Sequence, residues 1–514
     1  MSRRWRGNTS GSSRGREAAA LNSIIVIDVG TLSLRSSVVG IDGTMRYGSS
    51  RACSPLFLEG DVVEQDARTW QTALFETLAE AARYARSAEC RVLALSVASQ
   101  RASVIPVGRD GQPLCRAIMW HDKRSVGESA ALASSFTVEG IYRRTGLRAD
   151  PYFSAPKMLW LRMNRPEIFS RSAKLIGVQD WIVWLLTRQY VTDATQACRT
   201  MLMDIASLRW DADLLAAVGV TEDLLPRITT PGSVGGVLDA GAAAACGLPS
   251  GVPVVISGGD QQSAALALNV LSPGSAAANT GTGSFLVAYA NRPAFDPRMR
   301  TLCSCGAVPG TWIVEAGVLV SGAAYSWAKE QLFRDSSVEE MNAEVEASPI
   351  GARGILTLPH FKGSAAPYWN PRSRGVFFGV SLESTRGDIA RSILEGVVIE
   401  MCEGLEVIDS LVGGIREIGV AGGLTRFDLF NQMQADCFGR PVDCFENSEA
   451  TTLGALMSAC ASLGVYPDHH AAFRSVCPPV RRRLEPDPRS VELYRGLRKR
   501  MRLLYEALSR GESG

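Results

Sequence analysis

Histidine and long apolar runs are both scarce in this sequence. Only four histidines occur among 514 residues, which disfavours a site built on several histidine ligands or a histidine-driven triad. No run approaches the roughly eighteen apolar residues that a membrane-spanning helix needs. The 54 basic and 52 acidic side chains nearly cancel, which argues against binding to nucleic acid or to a membrane surface through phosphate charge. A small-molecule partner is therefore expected.

Several familiar site signatures are also missing. The twelve cysteines show no paired metal-ligand spacing, so they are predicted to be reduced thiols in a cytoplasmic protein. No GxxxxGK[ST] motif occurs, and the VAGGLTR turn does not have the GxGxxG pattern. P-loop and dinucleotide sites therefore lose support, and carboxylates and backbone amides are left to carry the chemistry.

The length of the chain predicts more than one hydrophobic core. With 46% apolar residues, two large lobes are the simplest division. We expect an N-terminal lobe over residues 23–271, a C-terminal lobe over 272–506 and a short tail over 507–514. Residues 1–22 are rich in Arg, Ser and Gly and have no apolar stretch, so they are expected to be a disordered leader rather than a signal peptide.

Each lobe begins with the same pattern of strand, glycine turn and strand. The first copy reads SIIVIDVG, then TLS, then LRSSVVG, and the second reads GSAAANTGTGSFLVAYA. This similarity predicts two β-hairpins and a duplicated architecture. Apolar periodicity predicts helices over residues 67–87, 156–163, 179–186, 388–411 and 427–438, with Gly439 ending the last of these. A basic surface helix is expected from about residue 491.

The stretch SGGDQQSAALALN follows the buried strand VPVVI and places Asp260 where a strand turns into a helix. An acid there is expected either to cap the helix or to act as a catalytic carboxylate, because ligands bind at the carboxyl ends of strands in α/β sheets. The helix N-terminus is expected to lower the pKa of this acid.

Three glycine turns are candidates for holding a nucleotide. In the first loop, backbone amides and hydroxyls around Asp28, Gly30, Thr31, Ser33 and Arg35 are suited to phosphate oxygens, although an ordinary hairpin is the alternative. In the second loop, Gly281, Thr282 and Gly283 repeat this chemistry. In the third turn, Gly422 and Gly423 allow a flat base or ribose to lie against the backbone.

An aromatic and cationic set is predicted beside Asp260. Arg101, Trp120 and Tyr152 together suit a polyhydroxylated ligand, since rings cover C–H faces and charges bind hydroxyls. Each also has an ordinary explanation, as a surface ion pair, core filling or a packed ring.

These motifs together resemble the FGGY family of carbohydrate kinases over about residues 24–466, and they are most similar to glycerol kinases. The matching stretches, in family order, are IDVGTLSLR, VVEQDARTW, SQR, MWHDKR, DPYFSAPKMLW, VTDATQACRTML, SGGDQQSAA, NTGTGSFL, FKGSAAPYWNPRSRGVFFGVSLESTRGDIARSILEG and VAGGLTRFDLFNQMQADCFGRPV. The resemblance implies an α/β fold in two lobes, actin-like and ribonuclease H-like, with a central cleft. It implies ATP and Mg²⁺ in the cleft, sugar and the first phosphate loop in the N-terminal lobe, and nucleotide on the C-terminal lobe.

The resemblance also implies a role for each matched residue. Asp260 corresponds to the general base and Asp28 to a residue that holds Mg²⁺ through water, with Asp260 also at the metal. The residues implied to bind substrate are Arg101, Trp120, Tyr152, Asp260, Gln261 and Phe285. The residues implied to bind nucleotide are Gly30, Thr31, Ser33, Arg35, Gly281, Thr282, Gly283, Gly322, Gly422 and Gly423.

Three positions depart from the glycerol kinase pattern. Ala102 replaces a Glu that binds substrate hydroxyls, Leu32 replaces a hydroxyl residue of the first loop, and Phe427 replaces an Asn of the adenosine turn. We therefore expect an ATP-dependent kinase that phosphorylates a terminal hydroxyl of a small polyol or ketose rather than strictly glycerol. A pentulose kinase, acting on xylulose or ribulose, is the alternative within the family.

Two further alternatives belong to another functional class: an actin-like ATPase and a sugar-sensing pseudokinase. The expected partner is a small polyol or sugar, with no nucleic acid and no membrane. A homodimer and a homotetramer both stay open as assemblies.

Overall fold

The computed structural model describes residues 21–445, 449–477 and 479–511. Most of the expected leader, and the last residues of the expected tail, lie outside these ranges. Among the described residues, no helix combines the length and apolar composition that crossing a membrane would require.

The first large sheet has six strands. They are β1 (Asn22–Val29), β2 (Ser33–Gly40), β3 (Met45–Ala52), β4 (Arg91–Ser99), β5 (Val234–Val237) and β6 (Pro253–Gly259). Their order is β5-β6-β4-β1-β2-β3. The three central strands β6, β4 and β1 are parallel, whereas β1, β2 and β3 form an antiparallel meander. The carboxyl ends of β1 and β6 therefore lie at one edge of the sheet.

The second large sheet repeats this arrangement with one added strand. Its strands are β7 (Ser275–Thr280), β8 (Ser284–Ala290), β9 (Leu302–Cys305), β10 (Trp312–Val318), β11 (Glu417–Ala421), β12 (Val442–Cys444) and β13 (Arg482–Leu484). The order of these strands is β9-β10-β8-β7-β11-β12-β13. In the reverse direction this order matches that of the first sheet, with β7, β8 and β10 equivalent to β1, β2 and β3 and with β9 as the added strand. The predicted duplication, with a glycine hairpin at the start of each copy, is confirmed.

Helices cover the faces of both sheets. The α-helices are Ala67–Ser87, Val126–Phe136, Val138–Thr145, Ser154–Asn164, Pro166–Arg171, Val178–Thr187, Ala194–Ala197, Ala212–Val218, Ala240–Cys246, Asp260–Ala267, Gly322–Leu332, Val338–Ala347, Arg386–Val412, Asp428–Phe438, Ala450–Ser462, His469–Val476 and Pro488–Gly511. The minor strands are Leu56–Leu58, Val62–Gln65, Ile105–Val107, Ala117–Ile118, Lys174–Ile176, Val191–Asp193, Met203–Asp204, Arg209–Trp210, Arg227–Thr229, Leu356–Leu358 and Val376–Phe378.

The helices expected from apolar periodicity are present. The helix over 67–87 has the predicted bounds, and Gly439 ends its helix in the left-handed conformation with φ 63°. The last helix lies on the surface as predicted, since only one side of it, with Tyr494, Leu497 and Met501, is buried against the second lobe. It runs to Gly511, past the expected start of the tail at residue 507.

Two helices pack against each other where the lobes meet. Asp260–Ala267 follows β6 of the first lobe, and Ala450–Ser462 follows β12 of the second. A side chain at Gly454 would have its Cβ 1.7 Å from the Ser263 carbonyl oxygen, so glycine is required for the helices to approach this closely. The second helix also reaches the first sheet, where Ser96 donates to the Ala455 carbonyl at 2.9 Å.

Candidate active site

Asp260 lies at the carboxyl edge of the first sheet, as its position in the sequence predicts. It is the first residue of the helix Asp260–Ala267 and not the cap, because Gly259 occupies the N-cap position without a side-chain bond. The Asp260 carboxylate instead accepts a hydrogen bond from the Gln261 amide at 2.8 Å. Its side chain is 27% exposed, so one face of the carboxylate remains open to a ligand.

The expected lowering of the Asp260 pKa by the helix N-terminus is wrong. Burial raises the pKa of Asp260, and the charges of Arg101 and Arg199 together with the Gln261 amide only partly oppose this effect. Desolvation of the charged form outweighs the helix dipole because the carboxylate is in the cleft between the lobes. Asp260 is therefore a stronger base than the sequence alone suggests.

Asp28 lies next to the carboxyl end of β1, which is parallel to β6, and so it is at the same edge of the sheet as Asp260. It pairs with Ala98 on β4, and Ala98 pairs with Gly258 on β6, so β4 separates the two carboxylates. Burial, followed by the negative charge of Asp260, raises the pKa of Asp28 to about 7, although Arg35 acts in the opposite direction. Two neighbouring acids that repel each other in this way are suited to a bound cation.

A cavity of about 520 Å³ opens between the lobes next to Asp28. Its lining residues come from both halves of the chain: Asp28, Arg35, Asn279, Gly422, Gly423, Thr425, Arg426, Cys444, Phe445, Glu449, Ala450, Thr451, Thr452 and Arg481. Four of them, Asp28, Arg35, Gly422 and Gly423, are residues predicted to contact the nucleotide or the metal. Arg35 also forms an ion pair with Glu449 across the cavity.

Close backbone approach explains the glycines of the third turn and of the second loop. Gly422 has φ 107°, and a Cβ there would lie 2.2 Å from the Thr280 carbonyl oxygen. Within the described part of the chain, no heavy atom beyond the adjoining residues lies within 4 Å of a Cβ built on Gly281 or Gly423, which leaves space for a ligand against the backbone. Gly281 and Thr282 are exposed at the hairpin tip.

Other predicted nucleotide contacts support these loops without lining the cavity. The Gly322 amide donates to the Gly281 carbonyl at 3.0 Å, and the Ser321 amide donates to Thr282 at 2.8 Å. Gly283 is buried against the carbonyl oxygen of Val318. Phe427 is buried in the core beside Tyr325, so this departure from the glycerol kinase pattern lies outside the cavity lining.

The aromatic residues that are predicted to bind the substrate cluster together. We call the site formed by Arg101, Trp120, Tyr152 and Asp260 the acceptor pocket, because the substrate would accept the phosphoryl group there. The Trp120 and Tyr152 rings are 5.2 Å apart, and the Trp120 indole donates to the Thr31 hydroxyl at 3.1 Å. This bond joins the acceptor pocket to the first glycine loop. Arg101 is buried, with its Nε 3.7 Å from Asp260 Oδ1. Phe285, the second residue of strand β8 in the C-terminal hairpin, is 45% exposed.

Lys157 supports the segment that carries Tyr152. Its ammonium group is fully buried and donates to the carbonyl oxygens of Pro151 and Tyr152 at 2.5 and 2.6 Å. It also contacts the carbonyl oxygens of Phe153 at 3.2 Å and Trp120 at 3.4 Å. In the sequence, this position stands out as a lysine among the apolar residues of PKMLWL, a few residues after Tyr152.

Arg199 and Glu315 are two further charged residues at the site that sequence reasoning did not select. Arg199 Nη1 lies 3.2 Å from Glu315 Oε1, and both side chains are buried. Glu315 is the one acid in the apolar strand WIVEAGV, and an acid in such a strand is unusual enough to have drawn attention.

Replacing Lys157 with Met is expected to raise the KM for the acceptor about tenfold and to lower the unfolding free energy by about 1–3 kcal/mol. The methionine fills the space but leaves the carbonyl groups beside Tyr152 without donors. Steady-state kinetics and thermal unfolding measure the two effects. Lys123→Met, at a side chain that is 64% exposed, is the matched control and should change neither value. If the acceptor KM is unchanged in Lys157→Met, Lys157 does not hold the Tyr152 segment in the position that binds the acceptor.

Comparison with known proteins identifies the family. Residues 23–267 match the N-terminal domain, and residues 276–463 the C-terminal domain, of the FGGY family of carbohydrate kinases. The chain belongs to this family. This FGGY kinase is 34% identical over 499 residues to a glycerol kinase of Thermus brockianus, and the alignment covers 93% of this chain and 97% of that protein.

Two solved structures share the fold of this FGGY kinase. They are a ligand-bound xylulose kinase from Lactobacillus acidophilus, at TM-score 0.90 and 24% identity, and a Plasmodium falciparum glycerol kinase with ADP, at TM-score 0.87 and 23% identity. Each comparison covers 95% of this chain and 98% of the other. The predicted two-lobed, actin-like fold is confirmed, and the protein is a phosphotransferase with an alcohol group as acceptor. The alternatives of an actin-like ATPase and of a pseudokinase are not favoured.

Proposed function

We propose that this protein transfers the γ-phosphoryl group of ATP to a terminal hydroxyl of a small polyol or ketose. The observation that carries the proposal is the position of Asp260: its carboxylate contacts Arg101, its charge raises the pKa of Asp28, and its backbone carbonyl accepts from Thr451, a residue of the cavity lining. A hydroxyl bound at Arg101 and Asp260 would therefore face a nucleotide bound in the cavity. The glycerol kinase and xylulose kinase relatives support this class of acceptor.

Residues of the cavity lining, together with Gly281 and Asp260, fit ATP and Mg²⁺. Open backbone at Gly281 and Gly423 suits phosphate and ribose, and the Asp28 and Asp260 carboxylates suit a hard cation. Within the described part of the chain, no cluster of three or more acidic, histidine or cysteine side chains forms a metal cage. That agrees with Mg²⁺, which is commonly held by one or two carboxylates, phosphates and water. When bound, Mg²⁺ would neutralise charge on the phosphates.

The chain's own residues then position and activate the acceptor. Trp120 and Tyr152 would cover its C–H faces, Arg101 would donate to its hydroxyls, and Asp260 would accept the proton of the attacking hydroxyl. In-line phosphoryl transfer depends mainly on positioning and charge stabilisation. Closure of the lobes would exclude water, which otherwise competes with the acceptor.

An acceptor screen tests the proposal directly. ADP release is measured with glycerol, erythritol, ribitol, xylulose and ribulose, each against a reaction without acceptor. We expect at least one of these compounds to stimulate ADP release strongly and to be recovered as its phosphate ester. ADP release that no polyol or sugar stimulates would refute the proposal.

Ala102 is the residue that we propose to set the choice among these acceptors. It follows Arg101, is buried at 6% exposure and has φ 67°. The resemblance to glycerol kinases implies a glutamate at this position in those enzymes, and a small side chain leaves room for a longer polyol or ketose.

Replacing Ala102 with Glu is expected to raise the ratio of kcat/KM for glycerol to that for xylulose about tenfold, because a carboxylate accepts hydroxyl hydrogen bonds and fills space. Parallel kinetics on the two acceptors provide the measurement. Ala102→Gln has the same size without the charge and separates the two causes. If the ratio is unchanged in Ala102→Glu, this residue does not determine specificity.

A further inference from the structure

Three buried charged side chains lie where the two lobes meet at the acceptor pocket. Arg101 and Arg199 come from the first lobe, and Glu315 comes from strand β10 of the second. The arginine side chains are each 4% exposed and the glutamate side chain is 10% exposed. With Asp260, the group contains two guanidinium groups and two carboxylates, so its charges balance.

Glu315 is anchored more closely to Arg199 than to Arg101. Arg199 Nη1 lies 3.2 Å from Glu315 Oε1 and donates to the Ser304 hydroxyl at 3.0 Å. Burial alone would raise the pKa of Glu315, but Arg199 and Arg101 outweigh it and leave the pKa below its usual range. Glu315 is thus a fixed anion that the second lobe contributes.

Arg101 is held between two carboxylates at nearly equal distances. Its Nε is 3.7 Å from Asp260 Oδ1, and its Nη1 is 3.8 Å from Glu315 Oε1. The Gln262 amide oxygen accepts from Nη1 at 3.2 Å. Neither carboxylate is close enough to form a short bidentate pair with Arg101.

We propose that Glu315, anchored by Arg199, is a positioning residue that holds Arg101 off Asp260 and so keeps both side chains available to the acceptor. This inference rests on the proposed function, in which Arg101 and Asp260 bind the acceptor hydroxyl. Without Glu315, a buried guanidinium group would have Asp260 as its remaining acidic partner and would close onto it, since a buried charge is costly to leave unpaired. Glu315 belongs to the second lobe, whereas Arg101 and Asp260 belong to the first. The acceptor pocket is therefore complete only when the two lobes are correctly positioned against each other.

Replacing Glu315 with Gln tests this role while preserving the shape of the side chain. The KM for the acceptor is expected to rise about ten- to hundredfold, with the KM for ATP changed less than about twofold, because Glu315 does not line the interlobe cavity. A general loosening of the lobes would raise both values together, and that result would overturn the proposal.

A double-mutant cycle with Arg101→Lys tests whether Glu315 acts through Arg101. If it does, Glu315→Gln should have little further effect on kcat/KM in the Arg101→Lys background. Additive losses would contradict the proposal. The matched control is Glu395→Gln, which removes a carboxylate from the equally buried Arg391–Glu395 pair at 2.9 Å. It is expected to lower the thermal midpoint without changing either KM.

Calorimetric titration with glycerol and with xylulose, in the absence of ATP, separates this inference from the proposed function. Weaker binding by Glu315→Gln than by the wild type supports the positioning role even if turnover is absent, whereas equal affinities or no binding by the wild type overturn it. The proposed function fails instead if the wild type shows no acceptor-stimulated ADP release.

Should Glu315→Gln not fold, Ser304→Ala loosens Arg199 without removing a charge and is expected to raise the acceptor Kd about threefold. An unchanged Kd would count against the proposal.

Discussion

Replacing Asp260 with Asn is expected to lower kcat for acceptor phosphorylation by about 10²- to 10⁴-fold while the protein folds normally. The amide has nearly the shape of the carboxylate and can still accept from the Gln261 amide, but it cannot take the proton of the attacking hydroxyl. The loss should therefore appear mainly in kcat, because the Arg101 and aromatic contacts that bind the acceptor are kept. Initial rates of ADP release at saturating ATP and acceptor measure it.

The matched control for Asp260→Asn is Asp239→Asn. Asp239 caps the helix Ala240–Cys246 and accepts from the Gly241 amide, so it is also an acid at a helix start, but it lies away from the cleft. This variant should retain wild-type turnover. Rates near wild type in Asp260→Asn would remove Asp260 from the mechanism.

Replacing Asp28 with Asn is expected to weaken Mg²⁺-dependent activity about 10- to 100-fold, the range typical of residues that hold a metal through its outer shell. The Mg²⁺ concentration for half-maximal rate should rise accordingly, because an amide supplies no negative charge. Titration of activity with Mg²⁺ at fixed ATP provides the measurement. An unchanged Mg²⁺ requirement would show that Asp28 does not serve the metal.

The same substitution is expected to stabilise the ligand-free protein at high pH. The pKa of Asp28 is about 7 in the folded protein, against an ordinary value of 3.8, so the folded state binds the extra proton between these values. Stability contributed by the protonated carboxyl is present below about pH 4 and is lost as pH rises to about 7. At pH 8 the Asp28→Asn variant should melt a few degrees above the wild type, with the difference vanishing near pH 4. Equal melting temperatures at pH 8 would contradict this account.

Local patterns were sufficient for the main elements of the site. The apolar runs before Asp28 and Asp260 predicted buried strands, and a buried strand that ends in an acid and glycines places that acid at a sheet edge. The glycine-threonine hairpins were recognisable because tight turns need glycine wherever backbone atoms approach closely, as they do at Gly283. Each of these features depends on residues that are adjacent in the sequence.

Contacts between distant segments could not be predicted in the same way. The Trp120 bond to Thr31 joins residues 89 positions apart, and the Arg199 contact with Glu315 joins residues 116 positions apart. The error in the expected direction of the Asp260 pKa has the same origin. The helix dipole can be read locally, whereas burial depends on the surfaces that the whole chain brings around the carboxylate.

The sequence by itself determined the duplicated order of strands and hairpins, the acids at the strand ends and the family, because hydrophobic periodicity and turn chemistry act over a few residues. Only the tertiary structure decided that Gly322 supports the second loop, that Lys157 ties the Tyr152 segment to Trp120, and that Glu315 reaches the acceptor pocket from the opposite lobe. These roles depend on which side chains lie together in the same buried region. Only the close packing of the complete fold determines which side chains those are.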